Sequence, residues 1–156
     1  MSSDPEPDCD LGWSIGMLQR RYRSEVDTHM ERLPRGSRGY QLLYAVIHKE
    51  LPNQLALSEY LGIDRTVLPY VIDDLVEDGL VERRPADGDR RARKIVATER
   101  GRSVFSDLEQ VVGNAEDVVL GALAPPERDL FRHLLSRLAR QARGEPRAHA
   151  GSETDL

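Results

Sequence analysis

The chain has 156 residues and a net charge of −5, which leaves room for one hydrophobic core but not for two joined by a linker. Hydrophobic residues make up 39% and charged residues 31%, and no apolar run approaches the ~20 residues of a membrane-spanning helix. The opening Met1-Ser2-Ser3-Asp4-Pro5-Glu6-Pro7-Asp8 is acidic where a secretory leader is basic and then apolar, so a cytoplasmic location without membrane contact is expected. One cysteine, Cys9, supplies neither a disulfide framework nor a cysteine-based zinc site.

The charge is unevenly spread. Between Glu82 and Arg102 eight basic residues face four acidic ones, a local +4, while the acid gathers at the N-terminus, along 73–78 and in the tail. Lys49 and Lys94 are the only lysines, so arginine carries nearly all the positive charge.

Residues 1–9 and 143–156 have no apolar period, and loosely ordered flanks are expected around a folded body at 10–142. Leu11, Ile15, Leu18, Tyr22 and Val26 recur at steps of three and four, the stripe of an amphipathic helix with Asp10 as N-cap. Pro34 and Gly36 end it. Tyr40, Leu43, Tyr44 and Ile47 mark a second helix that stops before Leu51-Pro52. Asn53 caps a third over 54–61, burying Leu57 and Leu61 and ending at Gly62. The spacing predicts a fourth helix over 65–78, capped by Asp64, with Leu68, Val71, Ile72 and Leu75 inward and Gly79 closing it. Pro69 then falls at the fifth helical position, where it should bend the helix start.

Beyond Gly79 the pattern alternates, giving strands at 80–84 and 92–97 around a polar loop at 85–91. Thr98 caps a long helix in which Val104, Leu108, Val111, Ala115, Val118 and Ala122 form a seam that calls for a partner helix. After Pro125-Pro126, Leu130, Phe131, Leu134, Leu135 and Leu138 mark the last helix. The fold class is therefore mainly α with a small β-hairpin wing, a winged helix-turn-helix.

A helix of this kind fits a major groove, and an arginine-tipped hairpin fits the adjacent minor groove, where narrow A·T tracts concentrate negative potential. Arg90 or Arg91 would enter the groove. Arg83, Arg84, Arg93 and Lys94 would meet phosphates, which give affinity and salt dependence without sequence information.

The segments 57–66, 75–83, Asp89-Arg90-Arg91-Ala92 and Thr98-Glu99-Arg100-Gly101 together resemble the MarR family of bacterial transcriptional regulators, in motif detail over about 53–105. The wing signature followed by Thr-x-x-Gly is the specific part. The resemblance implies a homodimer held by helices at about 10–33 and 98–142, with a DNA-binding lobe at about 53–97. Two lobes would meet successive major grooves of a pseudo-palindromic operator in double-stranded DNA. It also implies repression relieved by a small lipophilic or phenolic effector. Residue by residue, Asp73 matches a carboxylate that braces the wing arginine, here Arg91, and Arg65 and Thr66 match positions that face DNA. Val67, Pro69, Tyr70 and Asp74 depart from the small polar or basic residues usual there. Val67 could touch a thymine methyl and Tyr70 a phosphate.

Trp13, Met17, Tyr40, Tyr44 and His48 are candidates for an effector pocket, with tyrosine and histidine as oriented polar groups. Cys9 lies between Asp8 and Asp10, which disfavour its thiolate, so an inert cysteine is expected. His29, His48, His133 and His149 lack metal-ligand spacing, and no metal or cofactor is expected. With no phosphate-binding loop, G-x-S-x-G or HExxH in the chain, an enzyme is not expected. The less polar recognition face leaves an alternative of another class: a winged-helix dimer serving as a protein-interaction or small-molecule-binding module with little DNA affinity.

Overall fold

A computed structural model describes residues 10–144. They divide into two compact units, one ending at Ala122 and the other beginning at Leu123.

The first unit holds α1 (Leu11–Met30), α2 (Ser37–His48), α3 (Gln54–Leu61), α4 (Leu68–Glu77), β1 (Val81–Ala86), β2 (Asp89–Ala97) and α5 (Glu99–Val119). Three of the expected caps form. Asp10 accepts from the Trp13 N–H, Asn53 from the Ala56 N–H and Thr98 from the Gly101 N–H, each satisfying a donor that the first helical turn leaves unpaired. Gly62 takes φ +63 and ends α3. The core gathers Val26 and Met30 of α1, Leu42 and Leu43 of α2, Leu57 of α3, Leu68, Val71, Ile72 and Leu75 of α4, and Phe105, Leu108 and Val112 of α5.

Thr98-x-x-Gly101 has a packing reason. The Thr98 hydroxyl donates to the Gly79 carbonyl at 2.6 Å while capping α5, and a Cβ at Gly101 would lie 2.0 Å from the Leu80 carbonyl oxygen. The helix can seat on the base of the wing only where there is no side chain.

Three expectations are corrected. The fourth helix starts at Leu68, not at 65, because Asp64 organises a separate turn: the Val67 and Leu68 N–H groups both donate to its carbonyl. The wing strands are longer than the alternation suggested, since β1 and β2 run to a tight turn at Asp87-Gly88, with Gly88 at φ +77. Pairing runs from Val81↔Ala97 to Pro85↔Arg93 and then jumps to Ala86↔Asp89, so residues 90–92 bulge out of the ladder. Finally, the buried face of α5 is Gly101, Phe105, Leu108, Val112 and Ala115, which keeps Leu108 and Ala115 of the expected seam but runs through Phe105 and Val112 in place of Val104 and Val111. α1 packs along α5, which gives that face its helix partner within the chain. Val118 of the expected seam stays 48% exposed.

In α1 itself only the C-terminal part is covered: Val26 and Met30 are buried, whereas Leu11, Ile15 and Leu18 of the same stripe are exposed.

The second unit is the helix α6 (Pro125–Gly144), which continues through residues 143 and 144. The Ala124 N–H donates to the Glu127 carboxylate and the Arg128 guanidinium to the Leu123 carbonyl, fixing its first turn. None of its residues is buried, and Leu130, Leu134, Leu135 and Leu138 are all exposed. Residues 1–9 and 145–156, with Cys9 and His149, lie outside the described residues. Among the described residues no helix is long and apolar enough to cross a membrane.

Candidate nucleic-acid interface

The face of the α4 region that points away from the core begins in the turn before the helix. Arg65, Thr66 and Val67 are exposed there. Thr66 donates twice to the Asp64 carboxylate, from its N–H at 2.7 Å and from its hydroxyl at 2.5 Å, and these bonds hold Asp64 below the usual carboxylate pKa. The Thr66 hydroxyl is therefore committed as a donor and keeps only its acceptor lone pairs.

Pro69 is the second residue of α4, not the fifth. In the first turn its missing N–H would have had no intrahelical partner, so no helical bond is lost. Next to it Tyr70 is 64% exposed.

Two acids of α4, Asp73 and Asp74, and its C-cap Asp78 are each met by an arginine from a different part of the chain. Asp73 accepts from Arg83 Nη2 of β1 at 2.5 Å, Asp74 accepts from Arg35 Nε of the α1–α2 connection at 2.5 Å, and Asp78 pairs with Arg100 Nη2 of α5 at 3.4 Å. The brace expected between Asp73 and Arg91 is thus made by Arg83 instead. Arg83 sits at the root of the hairpin, where β1 passes α4, and its guanidinium also lies 3.5 Å from the Pro69 carbonyl. Arg91 stands in the bulge near the tip, with its N–H donated to the Asp89 carboxylate at 2.9 Å. Arg35 escaped notice in the sequence. It is the only non-glycine at positive φ among the described residues, +64, and that backbone geometry accompanies its reach to Asp74.

On the wing Arg84 is paired with Glu82. Arg90, Arg91 and Arg93 are exposed and Lys94 is half-buried; none of these four is in an ion pair among the described residues. The free positive charge therefore lies toward the hairpin tip and along β2, while Arg83 and Arg84 are already engaged.

Of the five candidate effector residues, three come together. Tyr40 stacks on Phe105 at 5.2 Å between ring centroids, and Tyr44 and His48 approach the same ring at 6.2 and 5.4 Å. His48 Nε2 lies 3.4 Å from Glu109 Oε1. Burial, then the nearby Tyr22, Glu109, Glu116 and Tyr44, push the Tyr40 hydroxyl well above the ordinary tyrosine range. Trp13 and Met17 sit in the exposed part of α1, where Met17 Sδ accepts from Arg20 at 2.7 Å, and are not among the ring contacts. Phe105 was missed because the expected α5 seam passed beside it. Among the described residues no group of three or more His, Cys, Asp or Glu is arranged to hold a metal ion.

Residues 39–92 match the family model described as MarR family. The chain is similar in structure to a MarR transcriptional regulator from Methanosarcina mazei Go1, at TM-score 0.73 and 23% identity over 85% of this chain and 95% of that one. It is similar to the PcaV transcriptional regulator from Streptomyces coelicolor, at 0.65 and 25% over 88% and 100%. The third is a transcriptional repressor, CouR, bound to a 23-mer DNA duplex, at 0.73 and 23% over 83% and 92%. The shared fold is the mainly helical winged helix with a two-stranded antiparallel wing.

Proposed function

Residues 39–92 match the MarR family model, and from that match we propose that the protein is a MarR-type DNA-binding transcriptional regulator, a cytoplasmic homodimer that represses from a pseudo-palindromic operator. The observation that carries this reading is the charge arrangement around α4. Asp74, the acidic departure on the recognition face, is matched by Arg35 and the bracing Asp73 by Arg83, while Arg90, Arg91, Arg93 and Lys94 are left for the duplex.

In this reading Arg65, Thr66, Val67, Pro69 and Tyr70 face the major groove, with Thr66 accepting rather than donating. Arg90 and Arg91, bulged from the ladder near the Asp87-Gly88 turn, reach the minor groove, and Arg93 and Lys94 take phosphates. Arg83 acts on DNA through position, by tying the wing to α4, and Arg84 contributes little while Glu82 holds it. The Tyr40, Tyr44, His48 and Phe105 rings between α2 and α5 are the proposed response element for a small lipophilic or phenolic effector. The pairing of Asp74 with Arg35 and the place of Pro69 in the first turn of α4 weigh against reading the chain as an interaction module without DNA affinity.

The test is anisotropy of a labelled fragment from upstream of the protein's own coding region, titrated at several salt concentrations. A regulator loses affinity linearly in log salt, and Arg90→Ala weakens it. Absence of binding to genomic fragments at low salt would overturn the proposal and favour the interaction module.

A further inference from the structure

A cavity of about 250 Å³ opens on the flank of the winged lobe, where the end of α2, the connection into α3, the strand β2 and the start of α5 converge. It shares no residue with the Tyr40, Tyr44, His48 and Phe105 cluster. Leu57 and Ile95, 2% and 6% exposed, give it an apolar floor. Lys49, Lys94 and Arg102 line it against a single carboxylate, Glu50. Elsewhere around the lobe Arg35, Arg83, Arg84 and Arg100 are each matched to an acid. Lys94 and Arg102 are in no ion pair among the described residues, although both border the same hollow, and the Lys49 ammonium lies 6.0 Å from the Tyr60 ring centroid.

A recess with an apolar floor and an excess of positive side chains is complementary to one kind of solute. We propose that this cavity binds a small organic anion, its charged head between Lys94 and Arg102 and its short apolar body on Leu57 and Ile95. The volume falls below the ~300–1,000 Å³ of sites for drug-sized molecules, which limits the occupant to a short chain or a single ring. Partial burial strengthens the attraction between head group and cations relative to open water. The ligand would span β2 of the wing and the connection that enters the helix-turn-helix, and it would occupy Lys94. On the reading above, which this consequence alone rests on, a bound anion removes one phosphate contact.

Calorimetric titration of the full chain, without DNA, with hexanoate, hexyl phosphate and hexanol tests the site independently of any operator. Saturable binding of either anion is expected, with hexanol weaker by about tenfold or more. The double variant Lys94→Gln, Arg102→Gln should lose about tenfold or more in anion affinity, while Arg32→Gln, an exposed cation outside the cavity, binds like the parent. Should the double variant fail to fold, methyl NMR of the parent decides: the anion must shift the Leu57 and Ile95 methyl signals. No saturable binding of either anion, equal binding of hexanol, undiminished binding by the folded double variant, or unmoved Leu57 and Ile95 methyls would each overturn the proposal.

Discussion

Asp73 on α4 accepts a hydrogen bond from Arg83 on β1 at 2.5 Å, with 58% and 31% of the two side chains exposed. An ion pair this open to water adds little to stability, about 0–1 kcal/mol, but it fixes the angle at which the wing leaves the helix. Arg83→Ala should therefore change the unfolding free energy by no more than about 1 kcal/mol. Its effect on DNA should also differ in kind from that of a wing-tip arginine. Each phosphate contact contributes about 0.9 to the slope of log affinity against log salt. Arg83→Ala is expected to weaken binding with the slope intact, whereas loss of Arg93 lowers the slope by about 0.9. Equal slopes for parent and Arg93→Ala, measured by anisotropy, would contradict the division between braced and free cations.

Pro69 offers a sharp test of where α4 begins. In a helix interior a proline costs ~3 kcal/mol or more, so if the helix started at 65, Pro69→Ala would stabilise the protein markedly. At the second position of α4 the proline has no bond to break, and it restricts the unfolded chain. Pro69→Ala is then expected to destabilise by about 0.4–1 kcal/mol, read from denaturant midpoints at constant m-value.

What the sequence disclosed and what it hid divide along physical lines. Caps are local, so Asp10, Asn53 and Thr98, and the end of α3 at Gly62, could be read within a few residues of their partners. Helical periodicity was legible wherever a stripe met the core, as at Leu68, Val71, Ile72 and Leu75, all fully buried. The α5 stripe was ambiguous because two heptad registers share Leu108 and Ala115, and only packing against α1 selects the one through Phe105 and Val112. The wing strands were underestimated because an arginine-rich two-stranded ribbon has little apolar alternation to reveal. The partners of Asp73 and Asp74 were out of reach for another reason: Arg35 lies 39 residues from Asp74, and the fold alone makes them neighbours.

Tyr40 makes stability depend on alkaline pH. Burial and neighbouring carboxylates hold its folded pKa above the ordinary value of 10.0. Below that pH both states are protonated and the group has no effect. As pH rises past it, the unfolded chain ionises while the folded one does not, so the unfolded state binds fewer protons and stability falls. Tyr22, raised by burial and by Glu116, acts in the same direction. Chemical denaturation between pH 9 and about 11 should show a decline that is shallower in Tyr40→Phe. A parent and variant that decline in parallel would contradict the buried setting of this hydroxyl.

The proposed dimer follows from apolar surface that the single chain leaves uncovered. Within α1, Leu11 is 76% and Ile15 56% exposed, and α6 exposes Leu130, Leu134, Leu135 and Leu138 without burying any residue. Such faces are large apolar areas facing water, and covering them is favourable by roughly 25 cal/mol per Å² removed. A second copy supplies matching faces, since a two-fold interface joins the same surfaces from each subunit. Sedimentation equilibrium should give twice the chain mass of 17.6 kDa. Leu134→Glu with Leu138→Glu should shift the protein toward single subunits with its helical circular dichroism largely retained, because neither residue belongs to the buried core. The same variant should also lose affinity for a two-half-site operator far more than for one half-site, since only the paired molecule engages both halves together. A stable lone subunit in the parent protein would rule out this mode of DNA recognition.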